Sequence, residues 1–557
     1  MRNNKTQIYN YLIYMCGIVG FIGKENCKKI ILEGLSHLQN RGYDSVGISL
    51  MTTDSIETVK YASTGVNDSF SVLHNDVMNR ELDSNIGIGH TRWATHGSKT
   101  IKNAHPHCDN KNKISLVHNG IIENYMELKN VLKNKNYVFE SQTDTEVVAV
   151  LIGSFIDDGL DVNTSINKTI SMLKGTWAFC IIHVDYPDCM WVARNGSPLL
   201  LGIEEDCIMV SSENVGFSNH TKKYIVLENN DIIKINLKTD TNTIECSCDI
   251  QHYKVNHIED KEYLQLSEQH PHWMIKEIQD QSECITRALN NGGRISGKTS
   301  VKLGGLDTFT SELSNIDHII LLGCGTSYHA GLWSMNEFKQ YDIFNTVSCI
   351  DGAEFDLLDI PKKGKTAIIL LSQSGETKDL HRCIEIAKSY DLITIGVVNV
   401  PDSMISRETD CGVYLNAGRE QAVASTKSFT NQCVVLSLIA IWFAQVKGTY
   451  ISKRQTTISN LMKLSYQVSS TIENNIGTIK EVANNIKKNS LFVLGKGNCE
   501  AIAKEGALKI KEVSYIHAEG YSSSALKHGP FALIEDDTPI IIIDVNKKYH
   551  DKSLNAC

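Results

Sequence analysis

Two hydroxyl-rich segments in the second half of the sequence have the composition of an anion-binding site. One is Ser372 to Thr377, which follows an apolar run and precedes a helical pattern; the other is Gly325 to Ser327, which follows a second apolar run. Hydroxyl groups and the free N–H groups of a helix N-terminus bind anions without a strong positive charge. Two such segments at one edge of a parallel sheet favour a small phosphorylated ligand. Each segment taken alone is equally compatible with an ordinary Ser/Thr helix cap.

Reactive residue types in the first half are concentrated in short blocks. The blocks are Met15 to Gly20, Asn40 to Ser45, His90 to Gly97, Asn103 to His107, His118 to Asn124 and Ser141 to Glu146. The first block contains Cys16, whose thiol is a nucleophile only after it loses its proton to a base. An α-amine has a pKa of about 7.7–8.0, so a cysteine at the start of a chain can use its own amine as that base.

These blocks resemble those of the N-terminal-nucleophile glutamine amidotransferases, in the family's order and over the whole first half. The resemblance implies that Cys16 attacks the side-chain amide of glutamine and forms a thioester, which releases ammonia. Asn119 and Gly120 would form the oxyanion hole through a side-chain amide and a backbone N–H. Arg92 would bind the α-carboxylate of glutamine with both arms of its guanidinium, and Asp144 would pair with its α-ammonium.

Other residues of these blocks are assigned by the same resemblance. Trp93, Thr95 and His96 are expected at the glutamine site, and Trp93 resembles the residue that gates the ammonia path. His105 and His107 have the H-x-H spacing of metal ligands. The family uses no metal there, so we interpret both as structural histidines.

The position of Cys16 within the sequence leaves three possibilities open. Translation could begin at Met15, whose removal exposes Cys16, or a propeptide that ends at Met15 could be cleaved. Alternatively, the extension could remain and leave the thiol without its base.

The pattern of apolar runs changes in the middle of the chain. Residues 16–246 alternate short β-branched runs with helical patterns, which predicts an α+β domain; the resemblance implies the layered sheet–sheet fold of N-terminal nucleophiles. Residues 247–272 are polar without a sustained period, and we interpret them as a linker. From residue 273 onward, apolar strands alternate with glycine-rich turns and helices, which is typical of a parallel α/β fold.

A weak internal repeat divides the second half. Ile320 to Ser327 is echoed 172 residues later by Phe492 to Cys499, and each copy has a G-x-G after an apolar run. We therefore expect two similar α/β domains, residues 273–450 and 451–557, of which the second is incomplete.

The second half resembles the sugar isomerase domains, through Ser372 to Thr377, Ala424 to Lys427, Lys504 to Glu519 and Leu526 to Pro530. The implied sugar-phosphate site comprises Thr326, Ser327, Ser372, Gln373, Ser374, Thr377, Val423 and Ser425. Glu512 matches the base that moves a proton between two sugar carbons, and Lys509 lies one helical turn away from it. His528 matches the ring-opening acid/base, which the family supplies from a neighbouring subunit, so a homodimer is implied.

Together the two halves resemble glutamine-dependent hexosamine phosphate synthases. The resemblance implies that L-glutamine and D-fructose 6-phosphate give L-glutamate and D-glucosamine 6-phosphate, the first step towards UDP-N-acetylglucosamine. It implies no metal, no nicotinamide and no other cofactor.

Two departures from the family pattern keep alternatives open. Ser524 and Ala525 stand where the family has glycine and glutamate before Leu526. The family also continues beyond Cys557 into a tail whose lysine forms a Schiff base with the sugar. The alternatives are a chain with glutaminase activity only, or a non-catalytic regulatory homologue that binds sugar phosphate.

The overall composition excludes other classes of protein. A chain of 557 residues predicts three to four domains at about 150 residues each, and a net charge of −9 argues against a nucleic-acid partner. The most apolar stretch, Val434 to Val446, is too short to span a membrane. Sixteen cysteines without a C-x-x-C motif, in a sequence with no secretory signal pattern, predict free thiols in the cytoplasm.

Overall fold

The computed structural model describes residues 16–39, 44–63, 68–92, 98–238, 243–258, 270–401, 403–545 and 547–554. The chain forms two compact units, residues 1–264 and 265–557. The cysteines of the described residues are free thiols.

The first unit is built from antiparallel strands and a few helices. Its strands are β1 (Gly17–Gly23), β2 (Ser45–Met51), β3 (Ile56–Ala62), β4 (Ile86–Arg92), β5 (His107–Cys108), β6 (Ile114–Ile122), β7 (Gly175–His183), β8 (Cys189–Asn195), β9 (Leu200–Ile203), β10 (Cys207–Ser211), β11 (Lys223–Val226), β12 (Ile232–Lys238), β13 (Thr243–Cys246) and β14 (Asn256–His257). Its helices are α1 (Cys27–His37), α2 (Ser69–Asn79), α3 (Tyr125–Asn134), α4 (Asp144–Asp157) and α5 (Val162–Met172).

The strands form two sheets that pack face to face. One sheet has eight strands in the order β14-β11-β9-β10-β1-β4-β2-β3, and the other has six in the order β13-β12-β8-β7-β6-β5. Successive side chains of a strand point to opposite faces. Ile18 and Ile22 of β1 therefore pack with Val117 of the second sheet, whereas Val19 and Phe21 pack against α1 and α2.

The second sheet is covered in the same way. Phe179 and Ile181 of β7 pack against Val147 and Ile152 of α4, while Cys180 between them faces the first sheet. The result is a four-layer α–β–β–α unit, which confirms the predicted layered α+β fold. Because both faces of each sheet are covered, the central strands are apolar on both sides.

The polar segment interpreted as a linker differs from that prediction at its beginning. Tyr224 and Lys223 of β11 pair with Asn256 and His257, so β14 extends the eight-stranded sheet beyond residue 246. A strand of two residues is too short to produce a period-2 pattern, which is why the sequence does not reveal it.

The second unit is built from parallel strands and longer helices. Its strands are β15 (His318–Gly323), β16 (Thr346–Asp351), β17 (Thr366–Ser372), β18 (Ile393–Val398), β19 (Cys411–Tyr414), β20 (Ser490–Gly495), β21 (His517–Ser522) and β22 (Ile540–Ile543). Its helices are α6 (Trp273–Gln279), α7 (Gln281–Ala288), α8 (Gly304–Asp307), α9 (Thr310–Leu313), α10 (Thr326–Gln340), α11 (Lys378–Ser389), α12 (Met404–Glu408), α13 (Lys427–Val446), α14 (Ile451–Asn485), α15 (Asn498–Ser514) and α16 (His550–Leu554).

Two parallel sheets confirm the predicted α/β fold. The strand orders are β16-β15-β17-β18-β19 and β21-β20-β22. The G-x-G repeat occupies the same place in both, between β15 and α10 and between β20 and α15. A Cβ atom at Gly323 would lie 2.7 Å from the backbone of Ser327, and one at Gly495 would lie 2.1 Å from the backbone of Cys499. Each helix therefore approaches its strand too closely for any residue but glycine.

Two long helices, α13 and α14, differ in extent from the apolar stretch and the domain boundary that the sequence predicted. α13 begins at Lys427 and is long and apolar enough to cross a membrane by length and composition, but 72% of its most apolar stretch is buried inside the protein. α14 begins at residue 451, where the second α/β domain was expected to start. Its Ile458 and Leu461 belong to the core of the first parallel sheet instead, so the beginning of this helix packs with the preceding domain.

Candidate active sites

Cys16 lies immediately before β1, where the first and second sheets of the first unit face each other. The Asn119 Nδ2 donates a hydrogen bond to the Cys16 carbonyl oxygen at 2.5 Å. The next residue, Gly17, donates its N–H to Thr91 Oγ1 at 3.2 Å. The Cys16 residue is half-buried, so it is anchored by its backbone while remaining partly accessible to solvent.

Gly120, the second predicted oxyanion-hole residue, follows Asn119 in β6. It has a φ of 136°, which only glycine adopts without strain. A Cβ atom there would lie 2.1 Å from the Thr176 carbonyl oxygen. The structure therefore requires glycine next to Asn119, on a strand that also reaches Cys16.

Arg92 ends β4 and is buried, with 3% of its surface exposed. Burial lowers the pKa of Arg92, and the negative charges of Cys16, Asp44 and Asp144 oppose that effect. These three groups therefore lie close enough to Arg92 to interact with its charge. An arginine stays protonated in proteins, so the site holds a fixed positive charge.

Asp144 begins α4, and its Oδ2 accepts the Ile122 N–H at 2.8 Å. Thr143 caps the helix, and a carboxylate in the first helical turn is stabilised by the helix dipole. Asp144 thus places a negative charge within range of the positive charge of Arg92. The two charges complement the α-ammonium and the α-carboxylate of an α-amino acid.

Asp44 is a buried carboxylate near this site, and the sequence motifs alone assign it no role. It is 2% exposed, and its Oδ1 forms an ion pair with Lys99 Nζ at 2.5 Å. Asp44 lies in the sequence block from Asn40 to Ser45, and its place in that block could have marked it as a candidate site residue. Trp93, Thr95 and His96 lie outside the described residues, so their roles stay predictions.

His105 and His107 lie in the core of the first unit and contact the start of α4. The His105 Nε2 is 2.9 Å from Thr145 Oγ1, and the His107 Nε2 is 3.0 Å from Thr143 Oγ1. Burial lowers the pKa of both histidines well below the ordinary value. Within the described ranges, no group of three or more His, Cys, Asp or Glu side chains could hold a metal ion.

In the second unit, the two hydroxyl-rich segments leave the same edge of one sheet. β15 and β17 are adjacent and parallel, so the turns before α10 and α11 emerge side by side. The Ser372 Oγ lies 2.9 Å from Thr377 Oγ1 and accepts the Gly375 N–H at 2.9 Å. Ser374 accepts the Glu376 N–H at 3.1 Å, so these hydroxyls order the turn that contains Gln373.

Ser327, in the first turn of α10, is held by a residue that the sequence did not identify. The Gln432 Nε2 on α13 donates to Ser327 Oγ at 2.8 Å, and both side chains are buried. Because Gln432 is the donor, the hydroxyl hydrogen of Ser327 can be donated to an anion.

The predicted catalytic residues of α15 reach the start of α10. The Lys509 Nζ donates to Glu512 Oε2 at 2.6 Å and to Thr326 Oγ1 at 2.9 Å. Glu505, also on α15, accepts from Thr326 Oγ1 at 3.0 Å and lies 2.8 Å from His329 Nδ1. The structure therefore brings Glu512, Lys509 and Thr326 together, and it adds Glu505 as a buried carboxylate that links the two helices.

Val423 and Ser425 lie in the loop before α13, which two buried carboxylates hold in place. Glu420 accepts the N–H groups of Thr426 and Ser428 and the hydroxyl of Ser425. Glu277 on α6 accepts the N–H groups of Gln421 and Ala422. We call residues 419–426 the anchored loop.

His528 is not brought to Glu512 in this single chain. It is exposed, at the end of a short helical turn, and its N–H donates to the Ala525 carbonyl oxygen at 2.9 Å. Among the described residues, no hydrogen bond joins His528 to the α15 residues.

Comparison with known families matches both units. A glutamine amidotransferase domain model matches residues 74–272, and a SIS domain model matches twice, at residues 312–442 and 486–556. The four-layer unit and the two parallel sheets thus form a glutamine amidotransferase linked to sugar isomerase domains.

Relatives extend the match over nearly the whole chain. A protein of Acanthamoeba polyphaga mimivirus named "Probable glutamine–fructose-6-phosphate aminotransferase (isomerizing)" is 40% identical over 552 residues, which cover 97% of this chain and 88% of the relative. The glutamine–fructose-6-phosphate aminotransferase of Clostridium acetobutylicum is 36% identical, covering 97% and 87%. The chain belongs to the glutamine–fructose-6-phosphate aminotransferase (isomerizing) family. A solved C-terminal domain of the Francisella tularensis enzyme is 30% identical, covers 52% of this chain and 81% of that one, and has a TM-score of 0.49.

Proposed function

We propose that this chain catalyses the glutamine-dependent amination and isomerisation of D-fructose 6-phosphate, which gives D-glucosamine 6-phosphate and L-glutamate. The observation that carries the proposal is the family membership, which spans 97% of the chain and both units. The first unit would release ammonia from glutamine, and the second would use it.

In the first unit, the Cys16 thiolate attacks the amide carbon of glutamine. The C–N bond breaks as the leaving nitrogen takes up the proton that the base removed from the thiol, and ammonia leaves. Water then hydrolyses the thioester to glutamate. The substrate oxygen becomes negative in both steps. Asn119 Nδ2, which donates to the Cys16 carbonyl oxygen, and the N–H of the adjacent Gly120 are the donors that stabilise it. Arg92 and Asp144 bind the α-carboxylate and the α-ammonium of glutamine.

The base for Cys16 in this proposal is its own α-amine, which requires Cys16 to be the first residue of the active form. Intact-mass measurement of the active protein is expected to give a chain that begins at Cys16. Full glutaminase activity in a protein that retains residues before Cys16 would contradict this assignment of the base.

In the second unit, the hydroxyls of Ser327, Ser372, Ser374 and Thr377 bind the phosphate of the open-chain sugar. Ammonia condenses with the C2 carbonyl, and water leaves. Glu512 then removes a proton from C1 and returns it to C2, while the C1 hydroxyl passes its proton to the imine nitrogen and becomes the aldehyde oxygen. The Lys509 ammonium beside Glu512 supplies positive charge for the enolamine intermediate.

The decisive experiment is a single incubation with glutamine and fructose 6-phosphate, in which glutamate and glucosamine 6-phosphate are measured together. Equal amounts of the two products are expected. Glutamate without the amino sugar would indicate a glutaminase only, and binding of fructose 6-phosphate without either product would indicate a non-catalytic homologue.

We further propose a cytoplasmic homodimer in which His528 of the partner subunit completes each sugar site. The exposed position of His528, together with the absence of a hydrogen bond between it and the α15 residues among the described residues, supports this arrangement. The product would supply the synthesis of UDP-N-acetylglucosamine.

A further inference from the structure

His90 lies within β4 and is completely buried, yet the reaction described above gives it no role. Its Nε2 is 3.1 Å from Asn119 Oδ1 and 3.0 Å from the His118 carbonyl oxygen. Both neighbours are acceptors, so the hydrogen must be on Nε2, which donates to both of them.

The environment of His90 keeps its imidazole neutral in this tautomer. Burial lowers the pKa of His90 to about 3, and the positive charge of Arg92 acts in the same direction. The ring of His105 lies 4.1 Å away. The other ring nitrogen, Nδ1, has no hydrogen-bond partner among the described residues, as expected for the unprotonated nitrogen of a buried neutral ring.

This hydrogen bond selects one of the two orientations of the Asn119 amide. With Oδ1 facing His90, Nδ2 faces Cys16 and donates to its carbonyl oxygen. Rotating the amide by a half-turn would bring two donors together at His90 and two acceptors together at Cys16. A buried polar group that loses its partner costs about 1–3 kcal/mol, so the rotated form is strongly disfavoured.

We propose that His90 is a positioning residue for the glutaminase reaction: its Nε2–H holds the Asn119 amide so that Nδ2, the oxyanion-hole donor, faces the nucleophile. This inference rests on the proposed glutaminase function. It predicts that the loss of the His90 donor weakens stabilisation of the oxyanion without weakening glutamine binding or the reactivity of the thiol.

The test compares variants that differ in whether a donor reaches Asn119. His90→Gln places an amide donor near the original Nε2, whereas His90→Asn is one methylene shorter and His90→Phe has no donor. We expect glutaminase kcat to fall roughly 10- to 100-fold in His90→Phe and His90→Asn, less than the about 10²- to 10³-fold loss for removing an oxyanion donor outright. His90→Gln should stay within about 5-fold of the wild type, since it retains the donor. The KM for glutamine should change little.

Two further readouts separate positioning from a general structural effect. Alkylation of Cys16 by iodoacetamide needs no oxyanion hole, so its rate should be unchanged in all three variants. In an Asn119→Ala background, His90→Phe should cause no further loss of kcat, because residues that act through each other are not additive. His183→Phe is a matched control, because His183 is also buried in this unit but interacts with Asp185 instead; its kcat should equal that of the wild type.

Several outcomes would overturn the inference. These are equal kcat values for His90→Gln and His90→Asn, an additive loss in the Asn119→Ala background, or a parallel loss of Cys16 alkylation. If His90→Phe does not fold, the comparison of His90→Gln with His90→Asn decides. A wild-type protein without glutaminase activity would contradict the proposed function itself, which distinguishes the two failures.

Discussion

At the scale of single residues, burial decides which cysteines can react. Burial raises the pKa of Cys27 to about 12 and that of Cys284 to about 11. Such thiols are protonated at neutral pH and are poor nucleophiles. Cys16 differs because it is only half-buried and lies beside the donor Nδ2 of Asn119 and the charge of Arg92.

Replacing the nucleophile should separate the two half-reactions. Cys16→Ala is expected to lower glutamate release by roughly 10³-fold or more, because no thioester can form. Binding of fructose 6-phosphate should be unchanged, as measured by calorimetry, since its predicted site is in the other unit. Cys207→Ala is the control, because Cys207 is also half-buried but burial raises its pKa to about 11. Loss of sugar binding in Cys16→Ala would contradict the assignment of two separate sites.

At the scale of elements, the anchored loop depends on carboxylates from two places in the chain. Glu420 binds the loop from within, while Glu277 binds it from α6 and is 1% exposed. Burial raises the pKa of Glu277, whereas hydrogen bonds from Gln421 and Ala422 lower it. The position of Val423 and Ser425 is thus set by a helix that is remote in sequence.

Removing Glu277 should therefore weaken sugar binding. In Glu277→Ala, two half-buried N–H groups lose their acceptor, at a cost of up to about 1–3 kcal/mol each, so we expect the KM for fructose 6-phosphate to rise roughly 5- to 100-fold. Glu277→Gln keeps an acceptor oxygen and should lose less. Glutamine hydrolysis without sugar should be unaffected in both. The control is Glu283→Ala, which removes an exposed carboxylate of α7 that pairs with Arg287. If Glu277→Ala and this control have the same KM for fructose 6-phosphate, Glu277 does not position the anchored loop for sugar binding.

Histidines buried between β4, β6 and the start of α4 must stay neutral, and this makes the first unit sensitive to acid. Burial lowers the pKa of His90, His105 and His107, whereas the unfolded chain binds protons at about pH 6.5. Their contribution to stability is therefore complete above pH 6.5 and is lost as the pH falls below it.

Each of these histidines should cost up to about 1.4 kcal/mol of unfolding free energy per pH unit below pH 6.5. Calorimetry of the full chain should therefore show that the melting temperature of the first unit falls between pH 7.5 and 5.5. The unfolding transition of this unit is identified as the one whose melting temperature rises when glutamate is added. His107→Gln removes one titrating group and should flatten that slope relative to the wild type. An unchanged slope in this variant would indicate that His107 is protonated in the folded state.

At the scale of the whole molecule, the proposed dimer makes each sugar site depend on two chains. Glu512 lies with Lys509 and Thr326 in one chain, whereas His528 is exposed and, among the described residues, forms no hydrogen bond with them. In the proposed dimer, Glu512 of one site and His528 of the same site therefore come from different subunits and can be substituted separately.

Complementation between two inactive variants tests this arrangement. Glu512→Gln and His528→Ala should each lose glucosamine 6-phosphate synthesis. When the two variants are co-expressed, random pairing should restore about a quarter of the wild-type activity, because half of the dimers are mixed and each mixed dimer has one intact site. Co-expression of Glu512→Gln with Lys509→Ala should restore no activity. Both residues are supplied by the same chain to its own sugar site, so each site of a mixed dimer still contains one of the two changes. Equal results for both pairs would exclude a shared site.

The sequence by itself determined the family and the two-part architecture, and it predicted most of the candidate reactive residues. The apolar runs before Gly325 and Ser372 predicted the parallel strands β15 and β17, because strands that are buried on both faces are continuously apolar. The motif blocks predicted roles for Cys16, Asn119 and Glu512, because these residue types within such blocks resemble the two families.

The tertiary structure alone decided what supports those residues. His90, Gln432, Glu277 and Glu505 contact their partners across 29, 105, 144 and 179 residues of sequence. Pairing over such separations depends on how sheets and helices pack, which local periodicity does not encode. The sequence does not reveal which distant residue will form a hydrogen bond with a given histidine or glutamate. Only the fold brings the two residues together.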